Sequence, residues 1–300
     1  MKHVLIVPVH PPKVLDLIRF LKSCNQASTM TPIMLVCTTW SEAQYIQQCV
    51  QASSCALDLT IIMHVVQNWS DHTLGDTATQ YLMQNQNTCV VNFKKFAALH
   101  HAHACGYQFA VVVDVDTWCV GDLDKFMHIC YVNYQNKKFW GCSISADAIG
   151  VGACTLSAEI LGPTGTQWCA QHLKQHVYNW FLDPPSYGLS DVHDMFVHMV
   201  QQHGDLSMFF QKVSWFTFDH LMFTRWMASQ QRAEILDYSH LLGVNQVPEI
   251  LTVPQLLHLK HVHQINPAWI STSAWLKHAD LVPSLLPDCH MLYHVDRPSV

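Results

Sequence analysis

A chain of 300 residues, half of them hydrophobic, can bury a large core, which excludes a disordered tail, a collagenous segment and a disulfide-stapled miniprotein. Only 13% of its residues are charged, against roughly a quarter in ordinary soluble domains. The net charge is −6 with no broad basic footprint, so nucleic acid is not an expected partner.

The chain opens with a continuous apolar run at residues 4–9, as in a strand buried on both faces. His10-Pro11-Pro12 stops it, and residues 13–24 follow with Val14, Leu17, Ile18 and Leu21 at helical spacing. The pattern then predicts a strand at 33–37, a helix opened by Ser41 and Glu42 and running to about residue 52, and a strand at 59–66. The polar stretch 68–76 reads as a loop. A helix is expected over 92–104, closed by Gly106, and a strand over 109–113. Strands alternating with helices predict an α/β sandwich of three layers around a mostly parallel sheet.

The second half is less regular. Residues 140–145 and 213–218 read as strands. Helices are expected at 166–180, 191–202 and 220–233, and 183–188 reads as a loop by its Pro, Ser and Gly content. No repeat or linker divides the chain, so a single domain of residues 1–300 is expected.

None of the twelve cysteines forms a C-x-x-C pair, so they read as small buried hydrophobes in a reducing, cytoplasmic setting. The apolar N-terminal run is too short for a signal peptide, and no stretch reaches the ~18–20 apolar residues of a membrane span. A soluble protein, or one peripheral to a membrane, is expected. The sparse charge favours self-association into a homo-oligomer.

The sharpest feature is Phe109-Ala110-Val111-Val112-Val113-Asp114-Val115-Asp116, an apolar strand ending in two acids one residue apart. Buried strands seldom end this way, because each charge must be solvated or paired. In open α/β sheets ligands bind beyond the carboxyl ends of the strands. Paired carboxylates there suit Mg²⁺ or Mn²⁺, which bridge diphosphate oxygens.

These residues resemble the D-x-D motif of GT-A fold glycosyltransferases, and the resemblance covers residues 1–145. It implies a GT-A-like enzyme that moves a sugar from a nucleotide-diphosphate sugar (UDP- or GDP-linked) to a hydroxyl on a glycan, lipid or protein acceptor. Residues 1–120 would bind the nucleotide and 121–300 the acceptor. Asp114 and Asp116 would hold the metal. Pro8, Val9 and His10, ending the first strand, would meet base and ribose. Lys95 of the Lys94-Lys95 pair would reach the donor. His261-Val262-His263-Gln264-Ile265-Asn266-Pro267-Ala268-Trp269 loosely resembles a His-to-Trp segment that supplies a third metal ligand in some of these enzymes. Either His261 or His263 would serve, the latter if the segment is a strand.

An inverting transferase needs a carboxylate base. Asp191 and Asp194, at a helix start after an irregular loop, are the candidates, with Asp194 favoured and Glu159 and Asp219 behind. Both could equally be ordinary N-terminal helix acids. Among Trp215, Phe216, Phe218, Phe223 and Trp226, a platform for a sugar ring or lipid competes with simple core packing. Trp180, Phe181 and Tyr187 are placed along an acceptor groove, and His100, His101 and His103 on a helix surface or interface.

Three other readings use the same acids. Asp114-Val115-Asp116-Thr117 also matches the opening of a haloacid-dehalogenase phosphatase motif, although that family carries it on its first strand. A nucleotidyltransferase would want a glycine-rich loop where His10-Pro11-Pro12-Lys13 stands. A catalytically inactive GT-A scaffold would act as a binding protein.

Overall fold

The computed structural model of the chain describes residues 2–25, 29–54, 58–76, 86–144, 148–172, 177–244 and 251–293. It opens with three β–α steps and a fourth strand: β1 (His3–Pro8), α1 (Val14–Cys24), β2 (Ile33–Cys37), α2 (Trp40–Ser53), β3 (Ile61–Val65), α3 (Val66–Thr73), α4 (Gln86–Ala104) and β4 (Phe109–Val112). Then come β5 (Trp118–Cys119), α5 (Leu123–Gln135), β6 (Lys138–Ile144), α6 (Ala148–His172), β7 (Val177–Phe181) and β8 (Ser186–Gly188). The remainder holds α7 (Leu189–His203), α8 (Leu206–Phe210), α9 (Asp219–Ser229), β9 (Glu234–Asp237), α10 (Val253–His263), β10 (Trp269–Ser271), α11 (Thr272–His278), α12 (Val282–Leu285) and β11 (Met291–Tyr293).

The central sheet has the order β3-β2-β1-β4-β8. Its first four strands are parallel, and β8 runs antiparallel along β4. Val4 to Val7 are wholly buried, as a strand covered on both faces requires. Successive crossovers step outward from β1 to β2 to β3, and the chain then returns to place β4 on the other side of β1. With right-handed crossovers, α1 and α2 cover one face and α4 the other. The β1/β4 boundary is therefore the sheet's topological switch point, where a crevice opens beyond the strand ends. Two small sheets, β10-β11-β5 and β7-β6-β9, extend the fold. Leu182, Tyr238, Leu256, Leu259, Ile270 and Leu292 belong to a second, smaller core. Among the described residues, no helix is long and apolar enough to cross a membrane.

Several expected elements differ, each for a local reason. The polar stretch 68–76 is not a loop but largely α3: burial of Val66, Trp69 and Ser70 on one side suffices, with Trp69 edge-on to Phe93 and Phe210. Thr39, not Ser41, caps α2, accepting the Glu42 amide. The helix expected at 166–180 begins and ends earlier, as α6, and its β-branched and aromatic tail becomes β7. The loop at 183–188 ends in the edge strand β8. Residues 213–218 form turns rather than a strand. There the Thr217 hydroxyl accepts the Ser214 amide at 2.9 Å and the Ser214 hydroxyl accepts the Phe216 amide at 3.2 Å, so side chains take the place of a ladder.

Candidate functional site

Parallel pairing fixes what meets at the switch point. Leu5 is opposite Val111 and Ile6 opposite Val112, so Val9-His10 and Asp114 leave the sheet at the same edge. The Val113 amide still donates to the Ile6 carbonyl at 3.0 Å. Beyond it the chain turns, with the Thr117 amide donating to the Asp114 carbonyl. The Asp114 side chain is 57% exposed and that of Asp116 20%, so both carboxylates stand at the rim rather than in the core.

The crossover helix α4 contributes both of its lysines, to different strands. The Lys94 ammonium donates to the Val9 carbonyl at 2.6 Å and lies 3.6 Å from Glu42, whose carboxylate accepts the Thr38 amide at 2.7 Å. Lys94 thus ties the ends of β1 and β2 together. Burial presses its pKa below the ordinary range, and Glu42 offsets part of that. Lys95 instead meets Asp114 at 3.2 Å and Asp219 at 3.8 Å. Burial pulls its pKa down, but Asp114, Asp219 and Asp116 together outweigh burial and raise it, so Lys95 stays charged.

Asp219, the first residue of α9, is 1% exposed and accepts a short hydrogen bond from the Tyr187 hydroxyl on β8. Burial and that carboxylate push the Tyr187 phenol well above its usual range, which keeps it a donor. Lys13, on the turn after β1, stands 4.0 Å from Asp116. His220, next to Asp219, is held neutral by burial, its pKa lowered to about 4. With Tyr187 it lines a small cleft beside β8, together with Asp183, whose carboxyl burial lifts to about 6.

The structure thus brings Pro8, Val9, His10, Lys95, Asp114 and Asp116 to one rim. It places the other expected residues elsewhere. β8 runs antiparallel to β4, with Gly188 opposite Phe109, so α7 begins at the far edge of the sheet. There Asp191 accepts hydrogen bonds from Tyr134 and Lys137 and meets Arg232 at 3.3 Å, while Asp194 accepts from Arg232 at 2.6 Å. Both acids are held in that ion-pair cluster, away from the rim. His261 and His263 sit in the last turn of α10 rather than on a strand, and His263 contacts His258. Among the described residues, no three His, Cys, Asp or Glu side chains converge to hold a metal ion. The side chains of Trp180 and Phe181 lie outside the described residues.

The rim fits a hard divalent cation through the chemistry of its donors. Asp114 and Asp116 supply carboxylate oxygens at partly exposed positions, and such ions keep waters and substrate phosphates as their other ligands. The central position of Asp219 and the part played by Lys13 were not evident from the sequence. The available signals were a lone acid directly after an aromatic run and a lysine just past Pro11-Pro12.

No protein-family model matches this sequence, and no curated protein matches it. Solved structures of similar shape include mouse xyloside xylosyltransferase 1 at 10% identity and TM-score 0.47, matched over 100% of this chain and 99% of that one. A bifunctional WbbM glycosyltransferase aligns at 12% identity and TM-score 0.47, over 99% of this chain and 46% of its own. Core-mannan synthase A from Aspergillus fumigatus, in an Mn/GDP form, aligns at 13% identity and TM-score 0.41, over 79% and 73%. These likenesses are in overall shape, and they identify no substrate.

Proposed function

We propose that this chain is a glycosyltransferase that uses a nucleotide-diphosphate sugar, with Mn²⁺ or Mg²⁺ held by Asp114 and Asp116. The observation that carries the reading is the pairing of those two rim acids with Lys95 and Lys13 at the switch point of a mostly parallel sheet. Two acids alone would repel a diphosphate, and two lysines alone would bind any anion. Together they suit a metal–diphosphate, whose cation and oxygens need opposite partners.

Val9 and His10 would bound the nucleoside, with Lys94 holding their backbone in place. The bound cation supplies charge neutralisation for the diphosphate as it leaves. Lys95 and Lys13 would hold phosphate oxygens as fixed point charges. In the reaction the bond from the sugar's anomeric carbon to the phosphate oxygen breaks, and a bond from that carbon to the acceptor oxygen forms. The acceptor's proton leaves to a base. Asp219 is the acid joined to the rim, through Lys95, whereas Asp191 and Asp194 are bound in the cluster at the far edge of the sheet. Residues 1–120 would hold the donor and the rest of the domain the acceptor.

The test is release of UDP or GDP from a panel of nucleotide sugars with Mn²⁺ present. Asp116→Ala is expected to lower the rate at least about a hundredfold, as loss of a principal electrostatic element does. Unchanged turnover and unchanged metal dependence in that variant would sink the assignment.

A further inference from the structure

We propose that Trp215 binds the acceptor, its indole stacking on the apolar C–H face of a pyranose ring. The acceptor is thereby assigned to the carbohydrate class. This inference rests on the transferase reading proposed for the chain.

Trp215 stands out among its neighbours. In its own loop Phe216 and Phe218 are half-buried, and Phe209, Phe210, Phe223 and Trp226 on the flanking helices are buried, whereas Trp215 is 48% exposed. Its loop is nevertheless firmly held. Asn92, itself 2% exposed, donates from one amide nitrogen to the carbonyls of both Ser214 and Trp215 at 2.9 Å. The buried Thr217 closes the turn through the Ser214 amide. Next to Trp215, the Phe216 ring packs against Gly152 so closely that a β-carbon there would stand 3.1 Å from it. A flat, electron-rich surface is thus displayed on a backbone already ordered before binding, which reduces the entropy lost on capture of a ligand.

Its position ties it to the reaction centre. Asn92 and Lys95 are one helical turn apart on α4 and share a face. Asn92 grips the Trp215 loop while Lys95 grips Asp114 and Asp219. The loop runs through Phe218, edge-on to Trp215 at 6.2 Å, straight into Asp219. Lys94 faces the other way and reaches β1. Trp215 is therefore on the α9 flank of the rim, opposite the β1 end where the nucleoside is placed. Gln211 and Lys212, exposed in the same loop, suit a hydroxyl-rich partner better than a lipid chain.

Saturation-transfer NMR on the intact chain with cellobiose, maltose and lactose, and with sorbitol as an open-chain control, tests this. A thermal-shift assay with Mn²⁺ and UDP or GDP runs beside it. At least one disaccharide should receive saturation through its ring protons, with sorbitol receiving none. Trp215→Ala should cut that signal about tenfold and Trp215→Phe should retain much of it, while the nucleotide shift stays the same in all three proteins. Disaccharide signal surviving in Trp215→Ala, or no signal with the wild-type chain, would overturn the proposal. Loss of the nucleotide shift in Trp215→Ala would also overturn it, assigning the indole to the base instead. Absence of any nucleotide shift in the wild-type chain would remove the transferase reading itself, while the sugar measurement, made without nucleotide, would still report on Trp215.

Discussion

Lys95 lies between an exposed carboxylate and a buried one, and the two contacts differ in weight. Asp114 can return to water if the ammonium is removed, whereas Asp219, 1% exposed, would keep the Tyr187 hydroxyl but lose its Lys95 ion pair. Lys95→Met is therefore expected to cost about 3 kcal/mol of stability, the penalty for stranding a buried charge. Asp114→Asn should cost less than about 1 kcal/mol, as at an exposed pair. Urea denaturation of the two variants checks the difference. A second residue-scale effect lies far from the rim. His64 on β3 is buried, its Nε2 has no hydrogen-bond partner among the described residues, and its ring stacks on His101 of α4 at 4.2 Å. Burial, with the neighbouring His101, lowers its pKa from 6.5 to about 3. The unfolded chain takes up that proton from about pH 6.5 downward and the folded chain does not, so stability is intact above 6.5 and falls as pH drops toward 3. At pH 5.5 the loss from this one group is about 1 kcal/mol. His64→Phe should flatten this part of the acid limb in denaturation curves compared at pH 7.5 and 5.5. The rim acids were legible because a charge that ends an apolar strand must be met by water, a counterion or a metal, and each of these puts it at an open edge. The histidine stack was not, because the residues that bury His64 come from a distant helix.

At the scale of elements, α6 is two helices joined at Gly162-Pro163. Gly162 has φ 74° and ψ −159°, a region open essentially to glycine alone. The break frees the carbonyls of Ile160 and Leu161, and α7 supplies imidazoles to them: His203 Nε2 lies 2.8 Å from the Ile160 oxygen and His198 Nε2 3.1 Å from that of Leu161. Gly162→Ala is expected to cost about 1–3 kcal/mol through backbone strain. The added methyl group would also meet the end of the Gln202 side chain, but that amide can swing away. A lowered melting temperature with unchanged nucleotide binding is the expected result. The Gly-Pro pair is visible in the sequence, yet the expected helix began only after it. The four parallel strands were legible to within two residues at either end, because strands buried on both faces are apolar throughout. β7, β8 and the 213–218 turns were not, because their state is set by pairing partners and hydroxyl contacts far along the chain or across a turn. The same blindness affected Asp191, Asp194 and Asp219. All three are acids at helix starts, and only the antiparallel course of β8 decides which helix begins at the rim.

For the whole molecule, the arrangement of charge at the switch point predicts how ligands should cooperate. Without ligands the acids already have counterions, Lys95 for Asp114 and Lys13 for Asp116. A divalent cation arriving alone must displace Lys95 from Asp114 and Lys13 from Asp116, leaving each lysine with one acid, Asp219 or Asp16, instead of two. A nucleotide diphosphate arriving alone offers oxygens to the lysines but brings its own charge against the carboxylates. Together they exchange partners, carboxylates to cation and lysines to phosphate, with no charge left uncompensated. Mn²⁺ alone and UDP or GDP alone should therefore each move the melting temperature by about 1 °C or less. The pair, at a concentration a hundredfold above its dissociation constant, should stabilise the fold by about 2.7 kcal/mol. In a chain of this size that is a rise of roughly 5 °C. Lys95→Met should abolish most of the synergy, since it removes one side of the exchange. Additive shifts from metal and nucleotide, or the full shift in a chelated sample, would show that the two do not share the rim between β1 and β4.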